Sequence, residues 1–302
     1  MNGECETTVI IPAYNAEKTL MRAFLSTRKQ GIPCAVVIID DNSKDQTADI
    51  AKYILTHFPN VEVLTNDINL GVSGARNRGI SIVETEYIAF LDADDVWLPN
   101  KLLKQKELFS QIPNCTLVSC NCLQIAPNGN VLKEGHKNRT PVSGVDAWKT
   151  LLKYNYIPTP TVFTKTELVR SVNSFDEELK VAEDLDLWIK LAKKGAVGVV
   201  SDVLVHYFDY EGSLMKTGDM NSADTVWTMV KGHTESEERL SIQEKRNIYA
   251  NRLFGLAQIH LLDDFNTANE LFEEAISHGH PRLEINIIRS KLWLKKMIKK
   301  LF

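Results

Sequence analysis

The feature that most narrows the folding options is a repeated couplet. A short β-branched run ends in proline or acidic residues, and a helical stretch follows. Thr8-Val9-Ile10-Ile11 stops at Pro12, and Ala35-Val36-Val37-Ile38-Ile39 runs into Asp40-Asp41. Val61-Glu62-Val63-Leu64 is a third run, and Tyr87-Ile88-Ala89-Phe90-Leu91 leads into Asp92-Ala93-Asp94-Asp95. Between them, residues 16–27 place Leu20, Ala23 and Phe24 at helical spacing, and a second helix is expected from near Asp45. Gly71 and Gly74 mark a loop before a helix through Ala75 to Val83. Strand and helix alternate about every 20 to 25 residues, the rhythm of an α/β fold with a doubly wound, largely parallel sheet and helices on both faces. Such sheets bind ligands outside the carboxyl ends of their strands. Three distant segments, at Pro12, Asp40-Asp41 and Asp92, therefore converge on one crevice.

The chemistry of those strand ends is specific. Asp92 and Asp94, one residue apart behind a buried strand, repel each other unless a cation joins them. Their hard oxygens suit Mn²⁺ or Mg²⁺ shared with phosphate oxygens. Asp41 offers acceptors to a base edge or a ribose hydroxyl, although one of Asp40 and Asp41 also suits capping of the Asn42-Ser43 turn. Tyr14 offers a face on which a nucleobase can stack. Residues 69–79 (NLGVSGARNRG) carry Arg76 and Arg78 beside two glycines, suiting a diphosphate, but they are neither a P-loop nor a dinucleotide loop. Further on, Glu183-Asp184 opens a helix reaching toward Gly195. Acidic residues there complement the helix dipole, and a carboxylate there also suits a general base.

Composition sets the outer limits. The 302 residues allow one large domain and an appendage, and 44% hydrophobic with 25% charged residues fits a soluble globular class. No apolar run nears the ~18 residues of a membrane span, and residues 1–15 read as no secretion signal. The five cysteines lack ligand spacing, so reduced thiols in a cytoplasmic protein are expected, and no zinc site. Residues 282–302 hold seven basic residues and one acidic residue, leaving 28 basic and 38 acidic elsewhere. An acidic body gives no nucleic-acid footprint.

Taken together, VIIPAYNAEKTL, VIIDDNSKDQT, NLGVSGARNRGI, YIAFLDADDVWLPNKL and AEDLDLWIKLAKKG resemble family-two inverting glycosyltransferases of the GT-A fold. The resemblance covers roughly residues 7–213. It implies a cytoplasm-facing, metal-dependent enzyme that uses a nucleotide sugar, most often a UDP-sugar. Such enzymes build polysaccharide, lipopolysaccharide or glycoprotein glycans, on glycan or lipid-linked acceptors. By resemblance, Pro12, Tyr14 and Asp41 hold the base, and Asp92 faces the ribose and diphosphate. Arg76 lies near the diphosphate, Asp94 with Asp92 binds the metal, and Asp184 is the base with Glu183 beside it. Trp97 and Trp188 shape the sugar and acceptor pockets or pack in the core. The chain departs from the family where Phe208 replaces an arginine, Tyr210 a histidine that ligates metal, and Lys190 an arginine. His206 or Asp209 could then substitute as ligand.

A domain of residues 1–220 is thus expected, followed by a helical extension over 221–302. In the extension, Ala268, Phe272 and Ala275 fit a helical hairpin over 245–280. Residues 282–302 set Ile285, Ile288, Leu292 and Ile298 against Lys295, Lys296, Lys299 and Lys300. That is the pattern of a helix on an anionic membrane surface, which would place the enzyme peripherally on the inner face. The same stripe also suits packing on the core or in a homodimer. Two other functions share the sequence features: a nucleotidyltransferase, and a non-catalytic scaffold of the same fold.

Overall fold

The computed structural model describes residues 5–126, 128–135, 141–208, 220–261 and 264–288. They form two compact units, one of Met1–Leu151 with Asn155–Lys216 and one of Leu152–Tyr154 with Thr217–Phe302.

The first unit opens with β1 (Thr7–Ala13), α1 (Leu20–Ser26), β2 (Ala35–Asp40), α2 (Thr47–His57), β3 (Val61–Thr65), α3 (Gly71–Ser81) and β4 (Tyr87–Phe90). The four strands lie parallel in the order β3-β2-β1-β4. Successive side chains point to opposite faces. Val9, Ile11, Val36 and Ile38 join Leu20 and Phe24 of α1 and Ala51 and Ile54 of α2 in one core cluster. Ile10 and Ile39 face the other way, toward α3: a Cβ on Gly79 would fall 2.8 Å from Ile39 Cδ1 and 3.1 Å from Ile10 Cδ1. Helices therefore cover both faces, and only glycine lets α3 come this close.

Beyond β4 come β5 (Val96–Trp97), α4 (Lys101–Gln111), β6 (Cys115–Ile125), β7 (Val131–Glu134), α5 (Ala147–Leu151), β8 (Phe163–Lys165), α6 (Thr166–Ser171), α7 (Glu183–Ala192) and β9 (Ala196–Phe208). Here the sheet turns mixed. β8 is antiparallel to both β4 and β6, β9 is parallel to β6, and β5 is antiparallel to β9. A 3-10 turn at Thr159–Thr161, not a crossover helix, leads into β8, so nothing forces it parallel. The turn predicted at Asn128-Gly129-Asn130 lies between β6 and β7.

The loop predicted around Gly71 and Gly74 is instead the first turn of α3. The glycines mislead because the helix is capped from a distance, by the Asp41 carboxylate just past β2.

The second unit contains α8 (Met220–Glu235), α9 (Ile242–His260) and α10 (Phe265–Ser277). Ser241 and Glu244 form a reciprocal capping box at the start of α9, and Asp264 caps α10 through Asn266 and Thr267. Leu253, Ala257, Leu261, Ala268, Phe272, Ala275 and Ile285 make its core. Residues 282–288 are helical, with Ile285 buried and Ile288 packed on that core, while Leu283 and Ile287 are exposed. The first positions of the apolar stripe are thus used for protein packing. Residues 289–302, which carry most of the basic stripe, lie outside the described residues. So do Asp209 and Tyr210. Among the described residues no helix is long and apolar enough to cross a membrane.

Candidate active site

β1, β2 and β4 end side by side, so the segments that follow them are neighbours. β1 does not stop at Pro12 but runs through it to Ala13; Pro12 is half-buried, and Tyr14, just past the strand, is 51% exposed, leaving the ring available. Asp40 closes β2 and Asp41 follows it; both are buried and both accept backbone N–H groups. Asp40 Oδ1 accepts the Ser43 N–H at 3.3 Å. Asp41 Oδ1 accepts from Asn66 Nδ2 at 2.6 Å and the Leu70 N–H at 2.9 Å, and its Oδ2 accepts the Gly71 N–H at 2.9 Å. Asp41 therefore supplies the anion at the positive end of α3. Asn66 is held in turn by Arg78, so that arginine supports a strand-end loop.

After β4, the Asp95 N–H closes a turn on the Asp92 carbonyl at 3.1 Å. Asp92 Oδ1 accepts from Arg76 Nη2 at 2.7 Å. Asp94 has no ion pair among the described residues, and burial together with the Asp92 charge raises its pKa to about 6. Asp95 is buried; its Oδ1 accepts the Phe208 N–H at 2.9 Å, and its Oδ2 has no partner among the described residues. Burial, then Asp94 and Asp92, push the Asp95 pKa well up. Arg22 of α1 braces this turn. Its Nη2 donates to the Asp94 carbonyl at 2.8 Å, and its guanidinium lies 4.1 Å from the Phe208 ring centroid.

Three carboxyls crowded on one turn, two of them with raised pKa, fit a divalent cation. No group of three His, Cys, Asp or Glu residues gathers as a metal cluster among the described residues. Asp92 and Asp94 would thus bind through one or two carboxylates, with phosphate oxygens completing the shell, as small hard cations allow. His206, its pKa lowered by burial, pairs across to Val96 in the sheet.

Arg76 points into the protein, toward two carboxylates. It is 3% exposed, and its second terminal nitrogen, Nη1, donates to Glu183 Oε1 at 2.9 Å. Burial works against its charge, but Asp92 and Glu183 outweigh that and raise its pKa. Glu183 is accordingly an ion-pair partner, with 13% of its side chain exposed. The next residue, Asp184, is half-buried. Its Oδ2 accepts from Thr159 Oγ1 at 3.3 Å and from Asn155 Nδ2 at 3.4 Å, and its Oδ1 faces the Leu185 N–H at 2.6 Å. Burial first, then the Glu183 charge, lift its pKa to about 7, against the opposing pull of Arg76 and these hydrogen bonds. Lys190 is paired with Asp186 at 2.6 Å.

The two tryptophans belong to the core. Trp97 is 2% exposed, donates Nε1–H to the Pro160 carbonyl at 2.8 Å and carries Lys101 Nζ 4.0 Å over its ring. Trp188 is fully buried, with Phe90 and Phe175 5.9 and 6.0 Å away by centroid. Neither lines a pocket, because α7 and β5 turn them inward. Sequence reasoning missed Arg22, Asn155, Thr159 and Phe175. Only Asp95 carried a signal, as part of the acidic run.

Residues 8–165 match the family Glycosyl transferase family 2, and residues 87–272 match Glycosyl transferase family group 2. Among curated relatives, the Escherichia coli UDP-Glc:alpha-D-GlcNAc-diphosphoundecaprenol beta-1,3-glucosyltransferase WfgD is 26% identical over 197 residues, covering 64% of this chain and 72% of WfgD. Across three other relatives the match spans 73%, 64% and 29% of the relative's length. Two solved structures share the fold. Residues 1–349 of S. aureus TarS in complex with UDP-GlcNAc give a TM-score of 0.64 at 19% identity, covering 92% of this chain and 93% of that one. Mannosyltransferase PcManGT from Pyrobaculum calidifontis, in complex with GDP-Man and Mn2+, gives 0.66 at 17% identity, covering 97% and 81%.

Proposed function

The chain belongs to glycosyl transferase family 2, and from that premise we propose an inverting transfer of a sugar from a UDP-sugar to an acceptor hydroxyl. The observation that carries this reading is Asp184: a half-buried carboxylate whose pKa is raised to about 7, the residue next to Glu183, which Arg76 bridges to Asp92. Asp184 takes the proton from the acceptor hydroxyl as its oxygen attacks the anomeric carbon. The bond from that carbon to the diphosphate oxygen breaks, and the nucleoside diphosphate leaves from the opposite face. Thr159 and Asn155 orient the Asp184 carboxylate for this step. Asp92 and Asp94 would hold a divalent cation, which supplies charge stabilisation to the departing diphosphate when bound. Tyr14 stacks on the base beside Pro12. Asp41 accepts three of the roughly four hydrogen bonds a carboxylate can take, leaving one for a base N–H.

WfgD by its name uses UDP-Glc and a diphosphoundecaprenol-linked acceptor, and TarS was captured with UDP-GlcNAc. Both support a UDP-sugar donor, and relatives named for succinoglycan and teichuronic acid biosynthesis support a role in polysaccharide synthesis. Calorimetry with UDP, UDP-GlcNAc and GDP, with and without MnCl2, tests the donor class. Tighter UDP binding in the presence of Mn²⁺ is expected. Absence of binding by any of the three would rule the reading out.

A lipid-linked acceptor also suits attachment to an anionic surface through the seven basic residues of 282–302. Full-length protein is expected to float with phosphatidylglycerol-containing liposomes, and a chain ending at Pro281 to stay behind. Equal flotation of the two would discard the membrane reading.

A further inference from the structure

Arg76 presents an energetic puzzle. A fully buried guanidinium is expensive, and isolated charges are tolerated inside proteins only when paired and hydrogen-bonded. Here the two terminal nitrogens are divided between carboxylates that are distant in sequence, Asp92 at 2.7 Å and Glu183 at 2.9 Å. One belongs to the acidic turn after β4, the other to the first residue of α7. The planar fork of arginine suits such a span, because its donors are fixed relative to one another.

The neighbouring side chains reinforce the bridge. Phe175 lies under the guanidinium, 5.1 Å from ring centroid to Cζ. Asn77, the next residue on α3, grips the backbone of that same phenylalanine. Its Nδ2 donates to the Phe175 carbonyl at 2.8 Å, and its Oδ1 accepts the Phe175 N–H at 3.0 Å. Phe175 packs edge-on to both Phe90 of β4 and Trp188 of α7. α3 thus fixes both the cation and the ring beneath it, and the ring joins the two elements that the cation bridges.

We infer that Arg76 is a positioning residue: a strut that holds the donor-side carboxylate Asp92 and the carboxylates opening α7 at a fixed separation, without touching the diphosphate. This rests on the proposed donor site and deepens it. A strut transmits disturbance in both directions. Loss of Glu183, on the side of the proton acceptor, should therefore loosen Asp92 on the side of the cation. A direct diphosphate ligand would not behave this way.

The test is calorimetric titration of full-length protein with UDP, in EDTA and in MnCl2, with uridine as a control, for wild type, Arg76→Lys, Arg76→Gln and Glu183→Ala. Melting temperatures are recorded alongside. Glu183 lies nearer the surface than Arg76, so Glu183→Ala remains informative if an Arg76 variant folds poorly. All three variants are expected to lose most of the gain in UDP affinity that Mn²⁺ confers, roughly tenfold. UDP affinity in EDTA and uridine affinity should stay near wild type. A full Mn²⁺ gain in Glu183→Ala overturns the strut. So does a loss of UDP affinity in EDTA with uridine unchanged, which would make Arg76 a diphosphate ligand. Parallel loss of UDP and uridine would reduce the residue to general fold support and also overturn it. If wild type itself shows no Mn²⁺ gain, the metal-assisted donor site falls first, a result distinguishable because no variant is needed to see it.

Discussion

Asp184→Asn is expected to lower sugar transfer by about 10²- to 10⁴-fold, the usual contribution of a positioned general base. The amide is nearly isosteric: its oxygen can still accept the Leu185 N–H, and its NH2, in the place of Oδ2, can donate to the Thr159 hydroxyl. What it cannot do is take a proton, so nucleotide affinity should hold within about twofold while turnover collapses. The wild-type pH profile follows from the same residue. Burial and the adjacent Glu183 raise the Asp184 pKa to about 7. Below that value the carboxyl is protonated and cannot act as a base. The rate should therefore fall about tenfold per pH unit on the acid side and level off above about pH 7. Initial rates of nucleotide release, measured with donor and acceptor across that range, read out both effects. An Asp184→Asn enzyme with wild-type turnover would place the base elsewhere.

Asp94→Asn should abolish the metal-dependent part of nucleotide binding and lower transfer by about 10³-fold. The two carboxylates of the Asp92-Ala93-Asp94 turn are not equivalent. Asp92 is already paired with Arg76, whereas Asp94 has no ion pair among the described residues and is pushed up to about 6 by burial and by Asp92. A carboxylate in that position gains most from an added cation and loses most when it cannot ligate one. EDTA treatment of wild type should reproduce the Asp94→Asn phenotype, and added Mn²⁺ should rescue only the wild type. Rescue of both would assign the cation to other ligands.

The parts of this site legible in sequence were those whose signal is local. Buried apolar runs leading into proline or acids located three strand ends, because a parallel sheet needs both features within a few residues. The resemblance of five linked segments then assigned the family. Side-chain direction was not legible. Trp97 and Trp188 adjoin acidic residues in sequence, but their strand and helix carry them into the core. Arg76 and Arg78 sit two apart on α3, so the helix sends them to different partners: one to Asp92 and Glu183, the other to Asn66. Asp41 looked like a ligand group, and most of its acceptors serve the start of α3. The start of α3 is hidden in the sequence for this reason, since its cap comes from the segment after β2. The mixed half of the sheet escaped as well, because β8 is only three residues long and carries no period of its own.

The sequence order of the two units has a practical consequence for dissecting this protein. Leu152–Tyr154 count with the helical unit, although the chain on either side of them belongs to the sheet unit. Arg252 of α9 donates Nε–H to the Leu152 carbonyl at 2.7 Å, and the Leu152 side chain is fully buried. No single cut therefore separates the units. A fragment ending at Lys216 would keep a three-residue stitch whose fabric had been removed, leaving the Leu152 carbonyl without its Arg252 donor. Functional dissection of this chain is better served by point substitutions than by scissors.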